Sequence, residues 1–209
     1  VGGLQKGHIT VVAGQTSMGK TALSLSMANN IMKNGNKVLF ISLEMNKVEL
    51  MERIIVMNSF VKMRDYINRK ISETQQKAIN YAFNKVDDFE WTISDKRGLT
   101  VEDIKAISRK TYNKMDGYDV IFVDYLQRIS LPGKGTVNKE VGTAVNQLRD
   151  LAGELDVPLL LLSQLNRGVD GRPKMHNLRD SGEIEEAADE VLFVYRPDYD
   201  KQEDQKEKN

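Results

Sequence analysis

Residues 13–21 read AGQTSMGKT, and Gly14 to Thr21 fit the phosphate-loop pattern G-x-x-x-x-G-K-[ST]. The loop follows HITVVA (8–13), an apolar, β-branched run with the look of a buried strand, and leads into TALSLSMANNIMKNG (21–35), which reads as a helix. Such a loop turns its backbone N–H groups onto phosphate oxygens, which favours glycines at Gly14 and Gly19 for unusual φ/ψ and close approach. Lys20 brings a point charge to the β/γ oxygens, and the helix N-terminus adds its partial positive charge. The hydroxyl of Thr21 is placed to ligate a magnesium ion. Gly14, Ser17, Met18, Gly19, Lys20 and Thr21 are therefore the predicted nucleotide-binding set.

Outward from the loop, apolar strand-like runs recur at HITVVAG, KVLFISLE, WTIS, DVIFVDY, PLLLLSQL and EVLFVYR. Helical patterns lie between them. NKVELMERIIVMNSFV and SETQQKAINYAFNKV open with Asn46/Glu49 and Ser72/Gln75 in capping-box spacing. TVEDIKAISRKTYNKM puts Val101, Ile104, Ile107 and Met115 on one face, and VNKEVGTAVNQLRDLAGEL does so with Val137, Val141, Val145, Leu148 and Leu155. Strands that are apolar on both faces and alternate with helices predict an α/β fold, a mostly parallel central sheet with helices on both faces. The stretch ISLPGKGTVNK (129–139) reads as a long loop, either a surface connection or a nucleic-acid-facing one.

Composition narrows the class. The 209 residues fit one domain of 1–196, with a charged tail at 197–209. Cysteine is absent, and there is neither a signal-like N-terminus nor an apolar run near 18 residues, which favours a soluble, cytoplasmic protein with no membrane contact. Lys+Arg and Asp+Glu are both 30, so nucleic acid would have to be met locally, by a loop or a channel shared between subunits. The chain opens on VGGLQKG without Met and ends in YDKQEDQKEKN, from which we expect a piece of a longer protein.

Ligands of parallel sheets gather at the carboxyl ends of strands. There the sequence offers Gly14 onward, Ser42-Leu43-Glu44, Asp124-Tyr125 and Ser163-Gln164. Asp124 closes DVIFVD, the form of a Walker B strand, and would hold the magnesium, in part through water. Glu44 reads either as a base or water-orienting group or as the cap of the next helix. Gln164 reads either as a γ-phosphate sensor or as an amide satisfying a buried backbone group.

GGLQKG, TSMGKT, SLEM, VDYLQ, LSQLNR and LRDSGEIEEAAD occur in that order. Together they resemble the RecA-like P-loop ATPase domain of DnaB-type replicative helicases, bacterial or phage, from residue 2 to about residue 196. The resemblance implies ATP as fuel with magnesium, a hexameric ring on single-stranded DNA, duplex unwinding, and helicase loader and primase as partners. It implies that Glu44 is the catalytic glutamate, Asp124 the Walker B aspartate, and Gln164 the sensor that couples the γ-phosphate to DNA-binding elements. Arg53 matches an arginine near the phosphates; its other reading is an exposed helix residue paired with Glu49. LRDSG (178–182) matches the loop that holds single-stranded DNA by its backbone, with Arg179 and the Gly182 amide toward phosphates and Asp180 where the family often has Glu. From chemistry alone the same stretch also reads as a solvated turn. The family's linker helix and its Lys-Gln-Arg-like finger motif have no counterpart in these residues. Two other readings are a RecA-like ATPase used as an assembly or timing switch, and a nucleotide-binding module that neither turns over nor translocates.

Overall fold

The computed structural model describes residues 3–133, 136–166, 171–178 and 181–197. Among them the order is β1 (Ile9–Gly14), α1 (Lys20–Lys33), β2 (Val38–Ser42), α2 (Lys47–Ser59), α3 (Met63–Ile67), α4 (Glu73–Asp87), β3 (Trp91–Ser94), α5 (Val101–Met115), β4 (Val120–Asp124), a 3-10 turn (Leu126–Arg128), α6 (Val137–Leu155), β5 (Leu159–Gln164), a second 3-10 turn (Met175–Asn177), α7 (Ser181–Ala187) and β6 (Glu190–Phe193). The six strands form one sheet in the order β3-β2-β4-β5-β1-β6, and every neighbouring pair is parallel. The expected mostly parallel α/β sheet is therefore parallel throughout.

Side chains of a strand alternate between faces, so a run that is apolar at every position must be covered twice. Val11, Leu39, Ile41, Ile121, Val123, Leu159 and Leu161 pack on one face against α5, α6 and α7, through Ile104, Val145, Leu148, Leu151 and Ile184. Val12, Val38, Phe40, Val120, Phe122, Leu160 and Leu162 pack on the other against α1, α2 and α4, through Leu25, Ala28, Met32, Leu50, Ile54 and Val86. Phe40 and Phe122, neighbours across β2 and β4, stack with ring centroids 5.4 Å apart. β3 and β6, at the two edges, are only half-buried.

Both expected capping boxes are present, Asn46 with Glu49 on α2 and Ser72 with Gln75 on α4, and Thr100 with Asp103 makes a third on α5. Each satisfies two backbone donors that a helix start leaves free. The helical pattern VNKEVGTAVNQLRDLAGEL stands in full as α6, so the 129–139 loop ends where that helix begins at Val137. Two further expectations change. The short helices α3 and α7 stand where no helix is predicted. The solvated-turn reading of 178–182 gives way, from Ser181 on, to the start of α7, with Ile184 and Ala187 buried against the sheet.

Candidate functional site

Register alone assembles the site. β1 and β5 pair through Gly14↔Gln164 and β2 and β4 through Ser42↔Asp124, so four predicted positions meet at one edge of the sheet. A cleft of about 370 Å³ opens there, lined by Thr16, Ser17, Gly19, Lys20, Thr21, Ala22, Glu44, Met45, Arg53, Asp124, Tyr125 and Gln164. Gly14 and Met18 do not line it. Met18 is buried beneath the loop, and Gly14 contributes its carbonyl.

The two loop glycines are needed for different reasons. Gly19, the residue before α1, has φ 97°, a left-handed conformation that costs a glycine little. Gly14 is needed for closeness: a Cβ there would lie 3.1 Å from the Val194 carbonyl oxygen and 3.2 Å from Cγ of Lys20. Ser17 is also left-handed, with φ 64°. The stem of Lys20 thus runs over Gly14, and its Nζ donates to the carbonyls of Gly14 (2.8 Å) and Gln15 (2.9 Å). Burial pushes the Lys20 pKa down, and the carboxylates of Asp124 and Glu44 partly offset that.

Asp124 is 1% exposed, and its Oδ2 accepts from the Thr21 hydroxyl at 2.8 Å. Burial raises its carboxyl pKa to about 6; the Thr21 hydrogen bond opposes the rise, Glu44 adds to it and Lys20 opposes it. An unfolded chain releases this proton near pH 4, the folded chain only near 6, so stability falls as pH rises across that window. Asp124→Asn keeps an acceptor for Thr21 without the buried charge. It is expected to be more stable than the parent at pH 7.5, on the order of 1–3 kcal/mol, and to converge on it near pH 4. Urea unfolding at the two pH values checks this.

Glu44 follows β2 in a turn that Ser42 locks. The buried Ser42 hydroxyl donates to the Met45 carbonyl (2.7 Å) and accepts from the Met45 N–H (3.1 Å). The helix-cap reading of Glu44 fails, since Asn46 caps α2. The half-exposed Glu44 carboxylate lies 3.9 Å from an Arg128 guanidinium nitrogen, and its backbone carbonyl accepts from Arg97 (3.4 Å). Arg53 lines the same cleft, and the carboxylate it was expected to pair with, Glu49, accepts instead from the Asn46 N–H.

The Gln164 side chain donates to the Thr16 hydroxyl in the phosphate loop. Satisfying a backbone group, the other reading of Gln164, falls to Gln127, whose Oε1 accepts from the Gln164 N–H at 3.1 Å. Sequence reasoning misses Thr16 and Gln127, and names Ser42 only as a strand end, without its role in the turn; the loop pattern leaves Thr16 as an x, and the amide contacts of Gln127 across to β5 leave no local signal. Arg179 and Asp180 lie outside the described residues, and Gly182 is exposed in the first turn of α7.

With this geometry in view, the family follows. The sequence model of the DnaB-like helicase C terminal domain matches residues 1–209. The chain belongs to that family. It is 34% identical over 204 residues to the replicative DNA helicase DnaC of Bacillus subtilis (strain 168), covering 94% of this chain and 45% of that one. It is 37% identical over 202 residues to a probable plasmid replicative DNA helicase of Chlamydia muridarum (strain MoPn / Nigg), covering 92% of this chain and 44% of that one. The chain thus spans just under half the length of these relatives. Among solved structures, one of an ATPase domain superposes with a TM-score of 0.87 at 31% identity, covering 95% of this chain and 73% of that one. A DnaB-like replicative helicase, solved in a study of its interactions with primase, gives 0.89 at 30% identity, covering 95% and 49%. The fold is RecA-like, as these neighbours are. No helix among the described residues is long and apolar enough to cross a membrane.

Proposed function

We propose that this chain is the motor domain of a replicative DNA helicase, which hydrolyses ATP to move along single-stranded DNA and separate duplex as a hexameric ring. The observation that carries the reading is the convergence of Lys20, Thr21, Asp124, Glu44 and Gln164 on one cleft of about 370 Å³. The triphosphate would lie along the loop. Lys20 would meet the β/γ oxygens, with Ser17, Gly19 and Thr21 at the loop's N–H wrap and Arg53 near the phosphates. In the reaction the oxygen of a water forms a bond to the γ-phosphorus while the bond to the bridging oxygen of ADP breaks. Glu44 takes the water's proton, and Gln164 hydrogen-bonds the γ-phosphate.

A hydroxyl and a buried carboxylate 2.8 Å apart, both oxygen donors facing the cleft, fit a magnesium ion. Thr21 and Asp124 would hold it, and when bound it neutralises phosphate charge. The partners that go with this reading are single-stranded DNA, sister copies, a helicase loader and a primase, in the cytoplasm. Arg179, Asp180 and the Gly182 amide would grip DNA phosphates without reading bases, and a ring of such loops would gather positive potential despite a net charge of +0.

The test is ATP turnover with and without single-stranded DNA, read beside mass in solution, for the ring-forming parent and for Arg179→Ala. Basal turnover is expected to survive in the variant. Its DNA affinity should fall for all sequences alike, with the salt slope reduced by about 1, and stimulation by DNA should be lost. A variant that binds and unwinds as well as its parent removes residues 179–182 from the DNA site.

A further inference from the structure

Gln127 occupies the 3-10 turn that follows β4, and its side chain does what a strand would do. β1 stays paired with β5 up to Gln164, but the pairing of β4 with β5 ends at Val123↔Leu161. On the β4 side, the last turn of the ladder is therefore missing just where β5 carries its functional amide. Gln127 fills that gap. Its Oε1 accepts from the Gln164 N–H (3.1 Å), and its Nε2 donates to Oγ of the fully buried Ser163 (3.0 Å). One donor and one acceptor in a planar amide are what a peptide group of an extended β4 would present. The backbone N–H fixes which end of the amide faces Gln164.

The strand end so held is tied in two further directions. Gln164 reaches Thr16 in the phosphate loop, and the next residue donates from the Leu165 N–H to the Gly14 carbonyl (3.2 Å). Leu165 also forms an antiparallel bridge with Leu178, and the Asn166 N–H donates to the Asn177 carbonyl (2.9 Å), immediately before residues 179–182. Arg128, adjacent to Gln127 in the same turn, lies beside Glu44. The turn after the Walker B strand therefore touches both the Glu44 carboxylate and the backbone that carries Gln164.

We propose that Gln127 is a positioning residue: its amide stands in for the pairing β4 no longer supplies and fixes Gln164 between the phosphate loop and the segment leading to residues 179–182. The functional half of this rests on the helicase reading above; the positional half does not. Gln127→Ala removes both contacts. Gln127→Glu keeps the acceptor for the Gln164 N–H, and the Ser163 hydroxyl turns to donate, so it should rescue.

Two measurements separate the halves. Amide hydrogen exchange on the 209-residue chain should show Gln164 exchanging roughly tenfold faster or more in Gln127→Ala and close to the parent in Gln127→Glu. Steady-state turnover in the ring-forming protein should show DNA-stimulated kcat down about tenfold or more in Gln127→Ala, with KM for ATP within about threefold. Adding Gln164→Ala should then cost little more, because a Gln164 side chain that is no longer held in place has little left to lose. Unchanged exchange at Gln164, or equal loss in the Ala and Glu variants, overturns the proposal. So does parallel loss of nucleotide binding and thermal stability in Gln127→Ala, which makes the residue merely structural. If the parent itself shows no DNA-stimulated turnover, the helicase reading fails, and the exchange result alone decides the role of Gln127.

Discussion

Lys20→Ala is expected to reduce ATP hydrolysis by roughly 10³-fold or more, the scale of a lost charge clamp on a transferring phosphoryl group, with little change in thermal midpoint. The reasoning starts from what holds the ammonium. It bonds two backbone carbonyls, Gly14 and Gln15, and its pKa is depressed by burial, so the folded chain gains little from keeping it charged there. Lys20 itself lines a cleft open to water, and removing its side chain lets water reach the two carbonyls and take over the hydrogen bonds. A triphosphate has no such substitute, because water cannot supply the cation. Titration with a fluorescent ATP analogue should therefore lose its signal while the unfolding curve stays in place. Hydrolysis at the parent's rate would remove residues 14–21 from the phosphate site.

The sheet was legible because burial on both faces leaves a local signature. KVLFISLE can satisfy neither water nor a single covering layer, and β2 at Val38–Ser42 packs Leu39 and Ile41 one way and Val38 and Phe40 the other. The strand order is not local, and nothing in the six runs says that β1 lies between β5 and β6. The helices α3 and α7 escaped for a related reason. MRDYI and SGEIEEA are too short to show a period, and α7 stands because Ile184 and Ala187 reach the core shared with α6. In the cleft, residues that punctuate an apolar run, such as Glu44, Asp124 and Gln164, could be picked out by position. The turn-locking role of Ser42 and the place of Gln127 could not, since their hydrogen bonds depend on where a turn folds back and where a ladder stops.

Glu44→Gln should separate binding from chemistry where Lys20→Ala removes both. The substitution changes one oxygen to a nitrogen and leaves untouched the Ser42–Met45 hydrogen bonds that set the turn. Asn46 and Glu49 cap α2 on their own, so the helix start does not depend on residue 44. The Arg128 contact, at 3.9 Å between half-exposed groups, contributes little stability that could be lost. ATP affinity is therefore expected within about threefold of the parent, while turnover falls by roughly 10²–10⁴, the range for a lost general base. Phosphate release and analogue titration on the same samples, with and without single-stranded DNA, read the two quantities apart. Lost affinity together with a lowered unfolding midpoint would make Glu44 a structural residue of the turn. Intact affinity with intact turnover would move the base elsewhere in the cleft, and Asp124, the other carboxylate lining it, already serves as the acceptor for Thr21.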